Sequence, residues 1–270
     1  MAENNVLLAF ALTFIAGIST GIGSLLAFLS KDFSPKYLSG SLGFSAGVMI
    51  YVSMVEMFPK AKDSLVSLAG DFNGYLFTIL SFFGGVALIA IIDKFVPSFE
   101  NPHEIGVINR QDVNYINQSR KLLRTGVLSA FAITIHNFPE GLATFFATLS
   151  DPFLGVSIAI AIAIHNIPEG IVVSVPIYYA TQNRKKAFVY SFLSGFAEPV
   201  GAIVGYILLR NFLNPFLFGI MFAGVAGIMV FISLDELLPT AEKFGEHHIA
   251  IYGLVGGMVV MAISLLMLIR

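Results

Sequence analysis

Residues 152–180 read PFLGVSIAIAIAIHNIPEGIVVSVPIYYA, a run of 29 residues whose single formal charge is Glu169. As a helix the run is ~43 Å long, enough to cross a hydrocarbon core of about 30 Å. A helix of that length on a water-soluble domain would carry a charged face. This one instead gathers His165, Asn166 and Glu169 near its middle. It is predicted to span a membrane and to hold a polar cluster inside it. The composition agrees, because 56% of the 270 residues are hydrophobic and only 12% are charged. Soluble domains are about 45–50% apolar and about 25% charged.

Working outward, seven more apolar stretches have spanning length. The eight predicted spans cover about 5–29, 39–59, 72–92, 125–150, 152–180, 188–209, 215–238 and 249–269. The fold class is an all-α integral membrane protein, a single transmembrane domain over residues 1–270. Polar residues such as Gln111, Asp112, Asn114, Asn117 and Gln118 mark 93–124 as the long connection, with no assigned structure. If the segments after spans one, three, five and seven share a side, that side holds eleven Lys and Arg and the other holds four. The positive-inside rule then puts the 93–124 loop in the cytoplasm and both termini outside. Met1–Asn5 lacks the basic region of a signal peptide, so the first span is expected to be retained. A formal charge of −2 gives no basis for nucleic-acid binding, and the absence of cysteine excludes disulfides and thiolate metal sites.

The chain also repeats itself. Residues 46–61, AGVMIYVSMVEMFPKA, match residues 226–241, AGIMVFISLDELLPTA, at a fixed offset of 180. Phe14, Gly17 and Gly23 match Phe192, Gly195 and Gly201 at an offset of 178. Spans one and two thus resemble spans six and seven. Five crossings separate equivalent members, so the copies face opposite ways in the membrane. Inverted repeats of this kind build alternating-access transporters, with the substrate site near the midplane.

Between the repeats lie two copies of a second pattern, His136-Asn137-Phe138-Pro139-Glu140-Gly141 and His165-Asn166-Ile167-Pro168-Glu169-Gly170. Each sits about 12 residues, or ~18 Å, into its span. His and Glu four residues apart share one helix face, flanked by the Asn. Proline has no amide hydrogen and frees the carbonyls of Ile135 and Ile164. Two such segments facing each other form a cage of imidazole, carboxylate and amide oxygen suited to a divalent cation. Glu198 is a third midspan acid; with Glu56, Asp235 and Glu236 the spans hold six carboxylates and no Lys or Arg. A buried charge in a bilayer must be paired, wetted or neutralised, and these acids have no basic partner. Their order along the spans traces a cation path, with Glu56 toward the outer mouth and Asp235 and Glu236 toward the cytoplasmic mouth. Glu56 and Glu236 also suit interfacial caps, and Glu198 a tether between helices. Met49, Met229, Ser53 and Ser233 read as packing residues, His247 and His248 as part of a solvated loop, and His103 carries no role.

At these patterns, and at Ser194-Gly195-Phe196-Ala197-Glu198-Pro199, the sequence resembles the ZIP family of metal transporters and, within it, a bacterial branch. The resemblance covers essentially the whole chain. It implies eight spans in a 3+2+3 arrangement, a cytoplasmic loop after the third, both termini outside, and a place in the inner membrane of a prokaryote. It further implies that His136, Glu140, His165 and Glu169 form one metal site. Asn137 and Asn166, with Glu198 and the shared Glu140 and Glu169, form an adjacent second site. Met49 matches a position that reaches the first. Family members carry divalent metals, chiefly zinc, into the cytoplasm and commonly pair as homodimers. The long loop is poor in histidine, which argues against metal sensing there.

Imidazole with carboxylate and no thiolate suits Zn²⁺, Fe²⁺, Mn²⁺, Co²⁺ and Cd²⁺ as substrates, whereas an all-oxygen site would suit Mg²⁺ or Ca²⁺. No organic cofactor is expected; the partners are the metal ions and the lipid bilayer. Two alternatives stand beside uptake by a carrier. One is a channel-like metal conduit. The other is a membrane-embedded metallohydrolase, disfavoured because HNxPE lacks the HExxH spacing and a hydrolase leaves the inverted repeat unexplained.

Overall fold

The computed structural model describes residues 3–29, 35–95, 115–209, 214–244 and 247–268, and among them every regular element is helical. In chain order these are α1 (Glu3–Leu29), α2 (Pro35–Val52), α3 (Phe58–Ala69), α4 (Asp71–Phe95), α5 (Tyr115–Ser150), α6 (Pro152–Thr181), α7 (Arg184–Gly195), α8 (Ala197–Leu209), α9 (Pro215–Ile232), α10 (Leu238–Phe244) and α11 (His247–Leu268). Among the described residues, seven segments are long and apolar enough to cross a membrane: Asn5–Phe28, Lys36–Ala69, Asp71–Ile92, Pro152–Thr181, Arg184–Leu208, Pro215–Glu242 and His247–Met267. Stretch 125–150 lies in α5, a continuous helix of 36 residues that is not among the seven. It carries Arg120, Lys121 and Arg124 toward its start and His136, Asn137 and Glu140 at its middle.

Local chemistry sets the helix ends. Asp151 caps α6 by accepting from the Phe153 amide at 2.9 Å, with Pro152 in the first turn. Asn183 and Asn214 cap α7 and α9 in the same way, through the amides of Lys186 and Leu217. The helices depart from the predicted boundaries in several places. The connection between spans three and four is shorter than 93–124, because α4 runs to Phe95 and α5 begins at Tyr115. Gln, Lys, Leu and Arg are good helix formers, and leaving the apolar run does not end a helix. His103 and the rest of that connection lie outside the described residues. His247 and His248 sit in the first turn of α11 rather than in a loop, with His247 Nδ1 2.6 Å from Glu242 Oε1.

Span two does not stop near residue 59. It continues to Ala69 through a π-helical turn over Ser53–Met57. Span seven has the same turn at Ser233–Leu237. The amide of Phe58 reaches back five residues to the Ser53 carbonyl, and that of Leu238 to the Ser233 carbonyl. Pro59 and Pro239 follow at once and have no amide hydrogen to restore α-helical bonding. Span six is broken at Phe196, between α7 and α8. Pro199 explains the break, since it cannot donate to the carbonyl of Gly195 four residues earlier.

The helices pack as two groups. α1, α5, α6, α7 and α8 lie together, while α2 packs on α11, and α4 on α3 and α9; α2 against α6 is a main junction between the groups. Lipid tails give helices little hydrophobic reason to associate, so close backbone approach at small residues carries the packing. Those approaches come in pairs. A Cβ built on Gly23 would lie 1.9 Å from the Ile167 carbonyl oxygen, and one on Gly201 would lie 2.2 Å from that of Phe138. A Cβ on Gly170 would lie 1.8 Å from Thr20 O, and one on Gly141 would lie 2.0 Å from Glu198 O. A Cβ on Gly47 would lie 2.0 Å from Leu254 O, and one on Gly227 would lie 2.0 Å from Phe82 O. In the first two pairs the members are related by the offsets of 178 and 29 that relate the sequence repeats, and in the third the two glycines are related by 180. Gly17 and Gly195, equivalent to each other, face reciprocally: a Cβ on Gly17 would lie 2.6 Å from Gly195 O, and one on Gly195 would lie 2.2 Å from Gly17 O. An approximate two-fold axis therefore passes between them.

Candidate metal site

The broken span six and the two proline-bearing helices bring their polar residues to one buried region. Asn137 and Glu140 come from α5, His165, Asn166 and Glu169 from α6, and Glu198 from α8; all six are fully buried. His165 Nε2 lies 3.2 Å from Glu140 Oε2, so the imidazole of the second HNxPEG copy pairs with the carboxylate of the first. Asn137 Nδ2 donates to the Ser194 carbonyl at 3.2 Å, and Asn166 Nδ2 donates to the Ala16 carbonyl at 2.9 Å. Asn166 Nδ2 also contacts Glu198 Oε1. The backbones of α7 and α1 thus fix both amides, and the amide oxygens are left for something else.

Four oxygens of this cluster have no hydrogen-bond partner among the described residues: Asn137 Oδ1, Glu140 Oε1, Asn166 Oδ1 and Glu198 Oε2. Leaving an acceptor buried and unmet costs about 1–3 kcal/mol, more for a charged group. No Lys or Arg is buried among the described residues to offset the carboxylates. A bound cation would satisfy the oxygens and the charge together. Among the described residues no three His, Asp or Glu side chains are drawn into a closed metal-holding group, and the His136 side chain lies outside them. The backbone of His136 is in α5, one turn before Glu140.

The other candidates are dispersed. Met49 is fully buried on α2; Ser45, one turn earlier, donates to the His165 carbonyl at 3.3 Å, so this face of α2 lies against α6. Glu56 and Glu236 sit half-buried in the two π-helical turns, and Asp235 is exposed. Met229, Ser53 and Ser233 are buried. Motif reading missed the part played by α1 and α7, whose Ala16 and Ser194 carbonyls hold the two asparagines. The signal available was the 178 offset, which makes Ala16 and Ser194 equivalent positions next to the matched glycines.

Residues 103–265 match the family model described as ZIP zinc transporter. The chain is 65% identical to a protein of Chlorobium chlorochromatii named zinc transporter ZupT, over 98% of both chains. It is 62% identical to a protein of the same name from Chlorobaculum parvum, covering 98% of this chain and 99% of that one. A third, from Clostridium perfringens, is 60% identical over 98% of both chains. With a family model matching more than half its length and relatives this similar end to end, the chain belongs to the ZIP zinc transporter family.

Proposed function

We propose that this chain takes up divalent transition-metal ions, zinc foremost, across the cytoplasmic membrane of a bacterium by binding them at the buried His/Glu/Asn cluster. The observation that carries this reading is the set of four unmet buried oxygens beside the His165–Glu140 pair, in a bundle whose described Lys and Arg are all outside the core. The relatives' names supply zinc, and the imidazole–carboxylate donor set extends the range to Fe²⁺, Mn²⁺, Co²⁺ and Cd²⁺. Membership of a transporter family sets the hydrolase alternative aside.

In this reading His136, Glu140, His165 and Glu169 hold one ion. Asn137, Asn166 and Glu198 share Glu140 and Glu169 to hold a second beside it. Two ions on shared carboxylates weaken each other, which speeds release. Met49 flanks the first site, Glu56 lines the outer approach, and Asp235 and Glu236 line the cytoplasmic exit. Counting α5 gives eight crossings in a 3+2+3 arrangement, with both termini outside and the 96–114 connection in the cytoplasm. The working unit is a homodimer. Moving spans four and five against the repeats would tear α5 and α6 from the α1 and α8 backbones that they touch at Gly170 and Gly141. The packing favours motion of α1 and α5–α8 as one body against α2–α4 and α9–α11.

Two measurements test the sites. Glu198→Ala is expected to leave uptake in place while shifting zinc-over-manganese preference or turnover by about tenfold, read from competition uptake into proteoliposomes; unchanged preference and rate would remove the second site. Imidazole and carboxylate must lose their protons to bind metal. The apparent zinc KM is therefore expected to rise as pH falls from about 7.5 to about 5.5, by up to about tenfold per pH unit for each competing proton. A KM flat across that range would contradict ligation by these groups.

A further inference from the structure

The approximate two-fold axis gives Glu198 a counterpart, and that counterpart is Thr20. Gly170 touches the Thr20 carbonyl as Gly141 touches that of Glu198. Asn166 donates to Ala16 O and Asn137 to Ser194 O, four residues before Thr20 and Glu198 respectively. A Cβ on Gly195 would lie 2.5 Å from Thr20 Oγ1, and one on Gly17 would lie 3.4 Å from Glu198 Cβ. Thr20 thus stands to Asn137 as Glu198 stands to Asn166.

Its hydroxyl is also unusual. Thr20 is fully buried and Oγ1 has no hydrogen-bond partner among the described residues. Thr13, Thr78, Thr134, Thr148 and Thr181 all donate to the carbonyl four residues back, at 2.7–2.9 Å. For Thr20 that carbonyl is Ala16 O, which already accepts from Asn166 Nδ2 and from Ser19 Oγ. As a helix carbonyl it also accepts the Thr20 amide, so three donors already crowd an oxygen with two lone pairs. The asparagine that orders the site therefore frees the threonine hydroxyl. Thr144 Oγ1 is likewise unmet, but its equivalent is the apolar Val173, so the symmetry gives it no counterpart in the site.

We propose that Thr20 supplies the transported metal with a neutral oxygen ligand on the Asn137 side, where the symmetry would otherwise set a fourth carboxylate. This rests on reading the buried cluster as the metal site. The consequence is an asymmetric site with three fully buried carboxylates, Glu140, Glu169 and Glu198. A neutral oxygen holds a divalent ion less tightly than a carboxylate. Thr20 therefore sets how readily the ion leaves.

The test uses the full chain in detergent and in proteoliposomes. Thr20→Val keeps the shape and removes an unmet hydroxyl, so the metal-free protein should melt at the same temperature or higher. Zinc Kd should nevertheless weaken by about tenfold, with Thr20→Ser close to wild type. Thr20→Asp should bind zinc more tightly and turn over more slowly. Wild-type zinc affinity in Thr20→Val, with binding lost in Glu140→Ala, would overturn the proposal while sparing the cluster. Wild-type affinity in Glu140→Ala would remove the cluster and the proposal together. A lower melting temperature with unchanged affinity would assign Thr20 a packing role and overturn the proposal. Should the Val variant not fold, Thr20→Asp decides: tighter zinc binding supports the assignment, and unchanged affinity overturns it.

Discussion

Glu140→Gln is expected to weaken zinc binding by about a hundredfold or more while leaving the metal-free protein at least as stable as wild type. The two effects have one cause. Glu140 is fully buried beside Glu198, with one oxygen on His165, and among the described residues its other oxygen has no partner and no Lys or Arg is buried. Gathering like charges away from water is costly in the empty protein, so a neutral isostere relieves it. The same change removes the ligand shared by both proposed sites, and even second-shell losses cost about 10–100-fold in metal affinity. A ligand that binds only the folded form raises its apparent stability. Zinc should therefore raise the melting temperature of wild type and not of the variant. A zinc-induced shift of equal size in both would take Glu140 out of the site.

The largest expected loss of stability lies on the two-fold axis. Gly170→Ala would set a methyl group 1.8 Å from the Thr20 carbonyl oxygen, and Gly23→Ala would set one 1.9 Å from that of Ile167. Neither obstacle is the end of a side chain that can swing aside. The α1 and α6 backbones must separate by more than 1 Å to reach ordinary contact distance, and at Gly170 that would also disturb the Ser191 hydroxyl, which bonds to both Thr20 O and Gly170 O. Each substitution should cost about 3 kcal/mol and lower the melting temperature of the purified protein, with loss of uptake. Gly84 and Gly256 have nothing within 4 Å of a built Cβ. Alanine there should be neutral or stabilising by up to about 1 kcal/mol through helix propensity. Equal effects at the packed and open glycines would show that backbone contact does not hold α1 to α6.

Much of this was legible in the sequence because it depends on local pattern. Apolar run length marks membrane helices, and the 178 and 180 offsets anticipated the paired glycine contacts. The repeated HNxPEG gave five of the six residues that the fold buries together, and Glu198 was found as an acid without a base. What the sequence hid depends on how helices meet. The π-helical turns leave no composition signal, though Pro59 and Pro239 stand at equivalent places just beyond them. The Ala16 and Ser194 carbonyls are backbone groups and have no letter. The shared body of α1 with α5–α8 rests on contacts far apart in the chain, as does the pairing of His165 with the Glu of the other copy. The side chain of His136 lies outside the described residues, so its place in the cluster rests on the repeat and on the family resemblance.

The central claim is that metal crosses the membrane by way of the buried His/Glu/Asn cluster. Its most direct test is zinc flux into proteoliposomes carrying either the wild-type chain or the double variant His136→Ala/Glu140→Ala, with equal folded protein inserted. Wild type is expected to show saturable, temperature-dependent uptake, and the double variant only the leak of protein-free vesicles. Saturable zinc uptake at the wild-type rate in the double variant would contradict it.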